Sequence, residues 1–347
     1  MPFSYRRALG ITDAAVATST AALAAQAPAP PQVTVGGLVY TQYVYQLKDS
    51  VNHFNNFDIT RAYLNVLGRF AGGVTARLTV DVQRFGTIAT TPPTTDNSLR
   101  LRLKYAFATY TPPGSPVTFK AGLIHTPWLD WEEAVWDYRM QGTMATDRAG
   151  YLSAADYGVG VDGKWMADKV NFQFTVVNGT FYSGTSAGTG KDAQARVSVR
   201  VLDTNDSSRV GGLRITGYAG YGRALAGDRN RFIGMISYRS KEITLAGEAA
   251  VTQDGVLSAT NGHVYSAFGV YKFPQTKAAV IARVDVLHRQ AGAVDKQTRF
   301  IGGVSYQLSP NWRLLADWDY ADYQTDALNA ANFATRSQAL FQTQINF

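Results

Sequence analysis

Among its 347 residues the chain has no cysteine, only four histidines and few charges, with Asp, Glu, Lys and Arg together at 17%. It also lacks any apolar run near the roughly 20 residues that a membrane-crossing helix needs. Each absence removes a class of protein. Without cysteine there is no disulfide framework, no thiol nucleophile and no thiolate metal site, and such usage suits an oxidising compartment. His53, His125, His263 and His288 are scattered one to a loop or strand end, which argues against zinc. No Gly-x-Ser-x-Gly elbow occurs. The stretch Gly184 to Asp192 has the wrong glycine spacing for a phosphate loop, and Asp192 stands where a magnesium-binding hydroxyl is required. No cofactor is therefore expected. A mean hydropathy of -0.14 is too polar for a bundle of membrane helices, so residence in a membrane requires a closed sheet.

What the chain has in excess is basic charge, 33 Lys and Arg against 26 Asp and Glu for a formal net +7. Its cations sit at alternate positions of extended segments rather than in clusters with stacking aromatics, so no nucleic-acid partner is expected. Glycine (32), tyrosine (19) and phenylalanine (17) are also abundant. The alternation itself is strict. From Val74 to Val82, Val74, Ala76, Leu78, Val80 and Val82 share one face, while Thr75, Arg77, Thr79 and Asp81 share the other. From Leu99 to Thr111, Leu99, Leu101, Leu103, Tyr105 and Phe107 lie opposite Arg100, Arg102 and Lys104. Period-two patterning buries one face of a strand and wets the other. Soluble strands cluster near five or six residues, whereas these runs last roughly 9 to 13, the length a tilted strand needs to cross a bilayer.

Alternation and turn chemistry together predict an all-β, up-and-down antiparallel transmembrane barrel of about sixteen strands. The strands are expected at 33–47, 57–70, 73–85, 99–111, 116–124, 156–166, 169–178, 192–202, 210–223, 229–240, 242–253, 262–273, 277–289, 298–308, 311–323 and 336–347. Their connections alternate short and long. The short ones, such as Ala71-Gly72, Pro112 to Ser115, Ala167-Asp168 and Ser309-Pro310, carry turn residues. The longest is 125–155, and the Gly/Ser/Thr-rich 179–191 reads as a mobile surface loop. The start of the first strand and the end of the last are then expected on the short-turn rim. Residues 1–27 read as an export signal, with Arg6 and Arg7 before the small apolar Ala8 to Ala25 and a cleavage site at Ala25-Gln26-Ala27; residues 28–347 form one barrel domain. Tyr40, Tyr43, Tyr45, Tyr110, Tyr218, Tyr221, Tyr320 and Tyr323 stand near strand ends, where an interfacial aromatic girdle belongs.

Three pieces of sequence carry a resemblance. Phe57 to Val66 looks like an early strand, with Arg61 at its centre; Tyr105 to Tyr110, followed by Lys120 to Trp128, forms a strand pair ending in Gly-x-x-x-Thr-Pro-aromatic; the last residue is Phe347. These resemble the bacterial outer-membrane porins of the phosphate-selective porin O and P type. The resemblance implies location in the bacterial outer membrane and passive diffusion of small solutes. It also implies a homotrimer and recognition of Phe347 by the barrel-assembly machinery. Two departures bear on phosphate: His125 stands where a Lys is common, and the loops hold no Lys-rich cluster.

By parity, Arg61, Arg77, Arg100, Arg102, Lys104, Lys120, Arg196 and Arg200 face the lumen, as do Arg214 and Arg283, partly offset by Asp81, Asp285 and Asp317. Inside a narrow wet channel such a set concentrates anions, and planar guanidinium groups suit carboxylate and phosphate oxygens. Connection 125–155 holds His125, Trp128, Asp130, Trp131, Glu132, Glu133, Trp136 and Asp137. It is longer than a rim loop needs. By analogy with porins it folds toward the lumen as a constriction, its acids facing the basic wall. The expected function is a passive water-filled channel for small hydrophilic solutes with a preference for anions, in contact with outer-membrane lipid. The competing classes are a barrel enzyme acting on lipids or esters, which needs Ser and His together near a rim, and a structural or adhesin barrel.

Overall fold

A computed structural model of the protein describes residues 30–84, 87–88, 94–95, 98–184, 190–224, 227–254, 260–289 and 293–347. The expected export signal lies outside them. The alternating segments become strands β1 (Gln32–Gln46), β2 (Asn55–Arg69), β3 (Val74–Arg84), the two-residue β4 (Thr87–Ile88) and β5 (Thr94–Thr95), β6 (Leu99–Tyr110), β7 (Val117–His125), β8 (Ala155–Trp165) and β9 (Val170–Val177). They continue as β10 (Asp192–Leu202), β11 (Gly212–Ala224), β12 (Gly227–Arg239), β13 (Ile243–Asp254), β14 (Thr260–Lys272), β15 (Ala278–His288), β16 (Gln297–Ser309), β17 (Trp312–Tyr323) and β18 (Ser337–Asn346). All but the β4–β5 hairpin join one closed antiparallel barrel of sixteen strands, each paired with its neighbour in sequence. Every expected strand is present, and the ends agree to within two residues.

Closure comes from β1 pairing with β18, from Leu38 opposite Asn346 to Gln46 opposite Gln338. The seam is extended by Phe347, whose N–H donates to the Gly37 carbonyl at 3.0 Å while the Gly37 N–H donates back at 2.7 Å. Its ring covers Gly37 so closely that a Cβ there would lie 2.1 Å from it. The short connections all lie on one rim. Their reversals use left-handed backbone, as at Gly72 (φ 75°) and Gly114 (φ 72°), and also at the non-glycine run Met166, Ala167 and Asp168.

Outer faces are apolar and exposed: Val159, Ile215, Ile236, Leu245 and Val304 are each more than half accessible. Two details depart from the expectations. Between β3 and β6 the register shifts, Thr79 facing Tyr105 and Val80 facing Leu103. The extra residue at Lys104 is a β-bulge, after which the faces exchange. Tyr105, expected on the lipid face, is therefore buried at 7% exposure inside the barrel beside Lys104. Tyr40 and Tyr218 likewise face inward and are buried, leaving Tyr110 and Tyr221 among the outward ring-bearers of the expected girdle.

The second departure is in the 179–191 connection. Rather than a free surface loop, its described beginning is tied down: the N–H groups of Gly179 and Phe181 both donate to Asp156, and Tyr182 lies 4.5 Å beneath Arg102. A charge on the outer wall tests the assignment of faces. Val304→Lys should cost about 2 to 4 kcal/mol of unfolding free energy in lipid if Val304 lies at mid-bilayer, measured by urea titration in vesicles.

Candidate functional site

The chain between β7 and β8 turns into the barrel. It contains helix α1 (Leu129–Trp136), a 3-10 turn at Arg139–Gln141 and helix α2 (Ala145–Arg148). Helix α1 ends where Asp137 adopts a left-handed conformation (φ 58°). Trp128, Leu129, Trp131, Val135, Trp136 and Met144 are completely buried. They pack on inward side chains of the wall, including Tyr218, Ile233, Met235, Phe268 and Ile281. On this side of the barrel the strands are apolar on both faces, one for lipid and one for the loop. Trp136 meets Phe268 edge-on at 5.1 Å, and Trp128 lies 5.9 Å from Tyr218.

Polar ties fix the loop around this apolar contact. Tyr138 shares a hydrogen bond with Ser305 at 2.7 Å, and Gln141 donates to Asp317 and Asp319. Arg148 pairs with Asp285, which also binds Arg283 at 2.8 Å. Wall arginines reach loop carbonyls: Arg231 donates to Tyr151, Arg313 to Asp137 and Arg239 to Ala134. Such charge-assisted bonds are stronger than neutral ones and hold the backbone of a loop that has no sheet partner.

The loop carboxylates do not act as one acidic face. Asp130 pairs with Arg209 of the turn before β11 at 2.6 Å. Burial raises the affinity of Asp130 for a proton, but electrostatic interaction with His125 and the Arg209 guanidinium outweighs it and leaves the carboxyl below its ordinary range. Asp137 lies 3.4 Å from Arg313 and 3.9 Å from Arg239. Glu132 is buried against Glu248 of β13, near Arg283, and burial followed by that second carboxyl holds it well above the usual carboxylate range. Glu133 is the loop acid that faces Arg61 and Lys104. It binds Arg139 at 2.6 Å, and Arg139, Lys104 and Arg61 overcome its burial to keep it below the ordinary value.

The cations expected in the lumen fall into distinct groups. Arg61 and Lys104 both donate to the Tyr63 hydroxyl, and Asp81 lies 3.8 Å from Arg61 and 3.2 Å from Arg102. Arg77 stacks 4.5 Å over Tyr105 and binds Asn65 and Thr79. Arg100 lies on the inward parity of β6, one position removed from Arg102. These lie on β2, β3 and β6, with Arg61 and Lys104 facing Glu133 and Arg139. Lys120 and Arg196 are elsewhere: Lys120 binds Asp162 at 2.8 Å and touches His125 at 3.2 Å, while Arg196 lies 4.1 Å under Trp131. Arg200 sits by the short-turn rim, bonded to Asp203 and the Ala167 carbonyl. Sequence parity missed Tyr63, Arg139, Arg209 and Asp162. Tyr63 was readable, since it shares parity with Arg61, and so was Asp162 on β8; the loop and turn residues Arg139 and Arg209 have no periodicity to betray them. Among the described residues no group of three or more His, Asp or Glu side chains suits a metal ion.

No family model matches the chain, and no curated protein does. Solved structures do share the fold. An anion-selective porin from Comamonas acidovorans aligns at a TM-score of 0.65 and 14% identity, covering 92% of this chain and 100% of that one. OmpT, an outer membrane protein of Vibrio cholerae in trimer form, aligns at 0.64 and 13%, covering 91% and 99%. Salmonella typhi OmpF, in complex with daunomycin, aligns at 0.62 and 12%, covering 91% and 97%. The fold is that of the sixteen-stranded barrels of the bacterial outer membrane.

Two measurements probe the docked loop. Trp136→Ala should destabilise the loop contact by about 3 to 5 kcal/mol, the range for a buried aromatic, and appear as faster proteolytic cleavage within residues 126–154 of the folded barrel. The raised Glu132 makes docking pH-dependent. The folded protein keeps that proton where a released loop would lose it, so docking is strongest below the ordinary glutamate value of 4.5 and weakens as pH rises through the raised one. Glu132→Gln should flatten the thermal-stability profile on the alkaline side of the ordinary glutamate value.

Proposed function

We propose that the protein is an outer-membrane porin, a passive water-filled channel for small hydrophilic solutes with a preference for anions. The observation that carries this reading is the loop lodged inside a closed barrel, with Glu133 and Arg139 opposite Arg61 and Lys104. Opposed charges across a constriction orient a dipolar solute, and the excess of cations on the wall raises the local anion concentration. The resemblance of Phe57 to Val66 and of Lys120 to Trp128 to phosphate-selective porins supports an oxyanion, phosphate included, as the solute. A homotrimer is supported by the trimer form named for the Vibrio cholerae neighbour. The Phe347 contact with Gly37 at the seam supports its role as the residue read by the barrel-assembly machinery. Transport of this kind needs no cofactor and no covalent step.

Planar-bilayer recordings in a potassium chloride gradient test the proposal. Neutralising Arg61, Arg102 and Lys104 together should lower the anion-to-cation permeability ratio by about threefold or more, as expected when roughly 0.6 kcal/mol of screened charge interaction is lost. Glu133→Gln should shift the ratio the other way. An unchanged ratio in both would remove the selectivity assignment. Turnover of ester or lipid substrates by the purified protein, abolished by a single Ser or His change, would replace the channel with a barrel enzyme.

A further inference from the structure

A cavity of about 360 Å³ opens along the wall of β7 to β10, bounded by the turn at Ser115 and Pro116 and by Arg209. Its lining includes His125, Asp162, Lys164, Gln173, Arg196 and Arg209. Two of the charges are already neutralised by the protein. Asp162 accepts a hydrogen bond from Lys120 behind it at 2.8 Å, and Arg209 donates to the Asp130 carboxylate and to its backbone carbonyl, both at 2.6 Å.

Arg196 is different. It is 2% exposed, yet its bonds go to neutral groups, the Pro127 carbonyl at 3.1 Å and the Asn171 amide oxygen at 2.6 Å, and its Nη1 has no partner. Among the described residues no carboxylate lies within ion-pair distance of it. The equally buried Arg283 and Arg214 do have such partners, Asp285 at 2.8 Å and Asp168 at 3.6 Å. A buried, unpaired cation is costly unless a counter-charge is supplied from outside the chain. The Trp131 ring at 4.1 Å fixes the plane of the guanidinium but does not replace an anion.

We propose that this cavity is a second oxyanion site, in which Arg196 binds the carboxylate or phosphate group of a small solute and Lys164 supports it from the rim. It lies toward the short-turn side of the barrel, since Asp162, Lys164 and Asn171 flank the 166–169 turn. The inference deepens the anion-channel reading and rests on it for its physiological role: a solute leaving the Arg61–Lys104 constriction meets a further cation before the rim. Successive weak sites are how channels combine entry with release.

The test is equilibrium binding of inorganic phosphate to the detergent-purified full chain by calorimetry, with acetate and succinate as parallel arms. Saturable binding at one site per chain is expected, with affinity lowered about tenfold in Arg196→Gln, the loss typical of one charge-assisted hydrogen bond. Lys164→Glu, a change at an exposed rim position that leaves the wall intact, should weaken it several-fold and decides the matter if Arg196→Gln does not fold. Binding of acetate or succinate in place of phosphate supports the site and makes its ligand a carboxylate. Affinities unchanged in the variants, or no saturable binding by any of the three below about 10 mM, overturn it. Binding retained in a protein that conducts no ions would instead remove the channel reading while leaving the cavity site standing.

Discussion

Backbone hydrogen bonding in hydrocarbon is the constraint on which the rest depends. A strand that crosses lipid has no water to satisfy its N–H and C=O groups, so the sheet has to close. Here closure is achieved by β1 and β18 and extended by the exchange between Gly37 and Phe347. Once the backbone is satisfied around the full circle, side chains are free to differ on the two faces. The outside carries Val, Ile and Leu into lipid. The inside is released for a mixture of charge, hydroxyl and, on one side, apolar surface.

That inner apolar surface governs how the lumen is used. Because Ile233, Met235, Phe268 and Ile281 point inward, the segment after β7 finds a dry seat for three tryptophans and remains there without strand pairing. Apolar burial supplies the attraction, while arginines from β12 and β17 and from the turn before β11 hold individual carbonyls and carboxylates in place. The same docking divides the cations. Arg61 on β2 and Lys104 on β6 look at Glu133 and Arg139, whereas Lys120 and Arg196 are left behind the helix with His125.

The sixteen strands were legible because alternation over 9 or more residues, punctuated by Gly, Pro and Asp, has few other physical explanations. Arg61, Arg77 and Arg102 followed from the same parity. It failed at Lys104, where one extra residue sends Tyr105 inward, since a bulge leaves no mark in composition. The interior position of loop 125–155 was suggested by its length and by family likeness. The partners of its acids were not, because Asp130 with Arg209 and Asp137 with Arg313 are set by the packed path of the loop rather than by any spacing.

Strand β12 shows what a two-faced apolar wall demands of the chain before it reaches lipid. Phe232, Ile233, Met235 and Ile236 make a short stretch with no charge and no proline, interrupted only by Gly234. Such a stretch has the composition of a self-associating segment while the chain is unfolded in water. Arg229 and Arg231 precede it and Arg239 follows it. The arginines that hold Gly179, Tyr151 and Ala134 in the finished barrel thus stand on either side of it as charged gatekeepers, discouraging its aggregation in the unfolded chain.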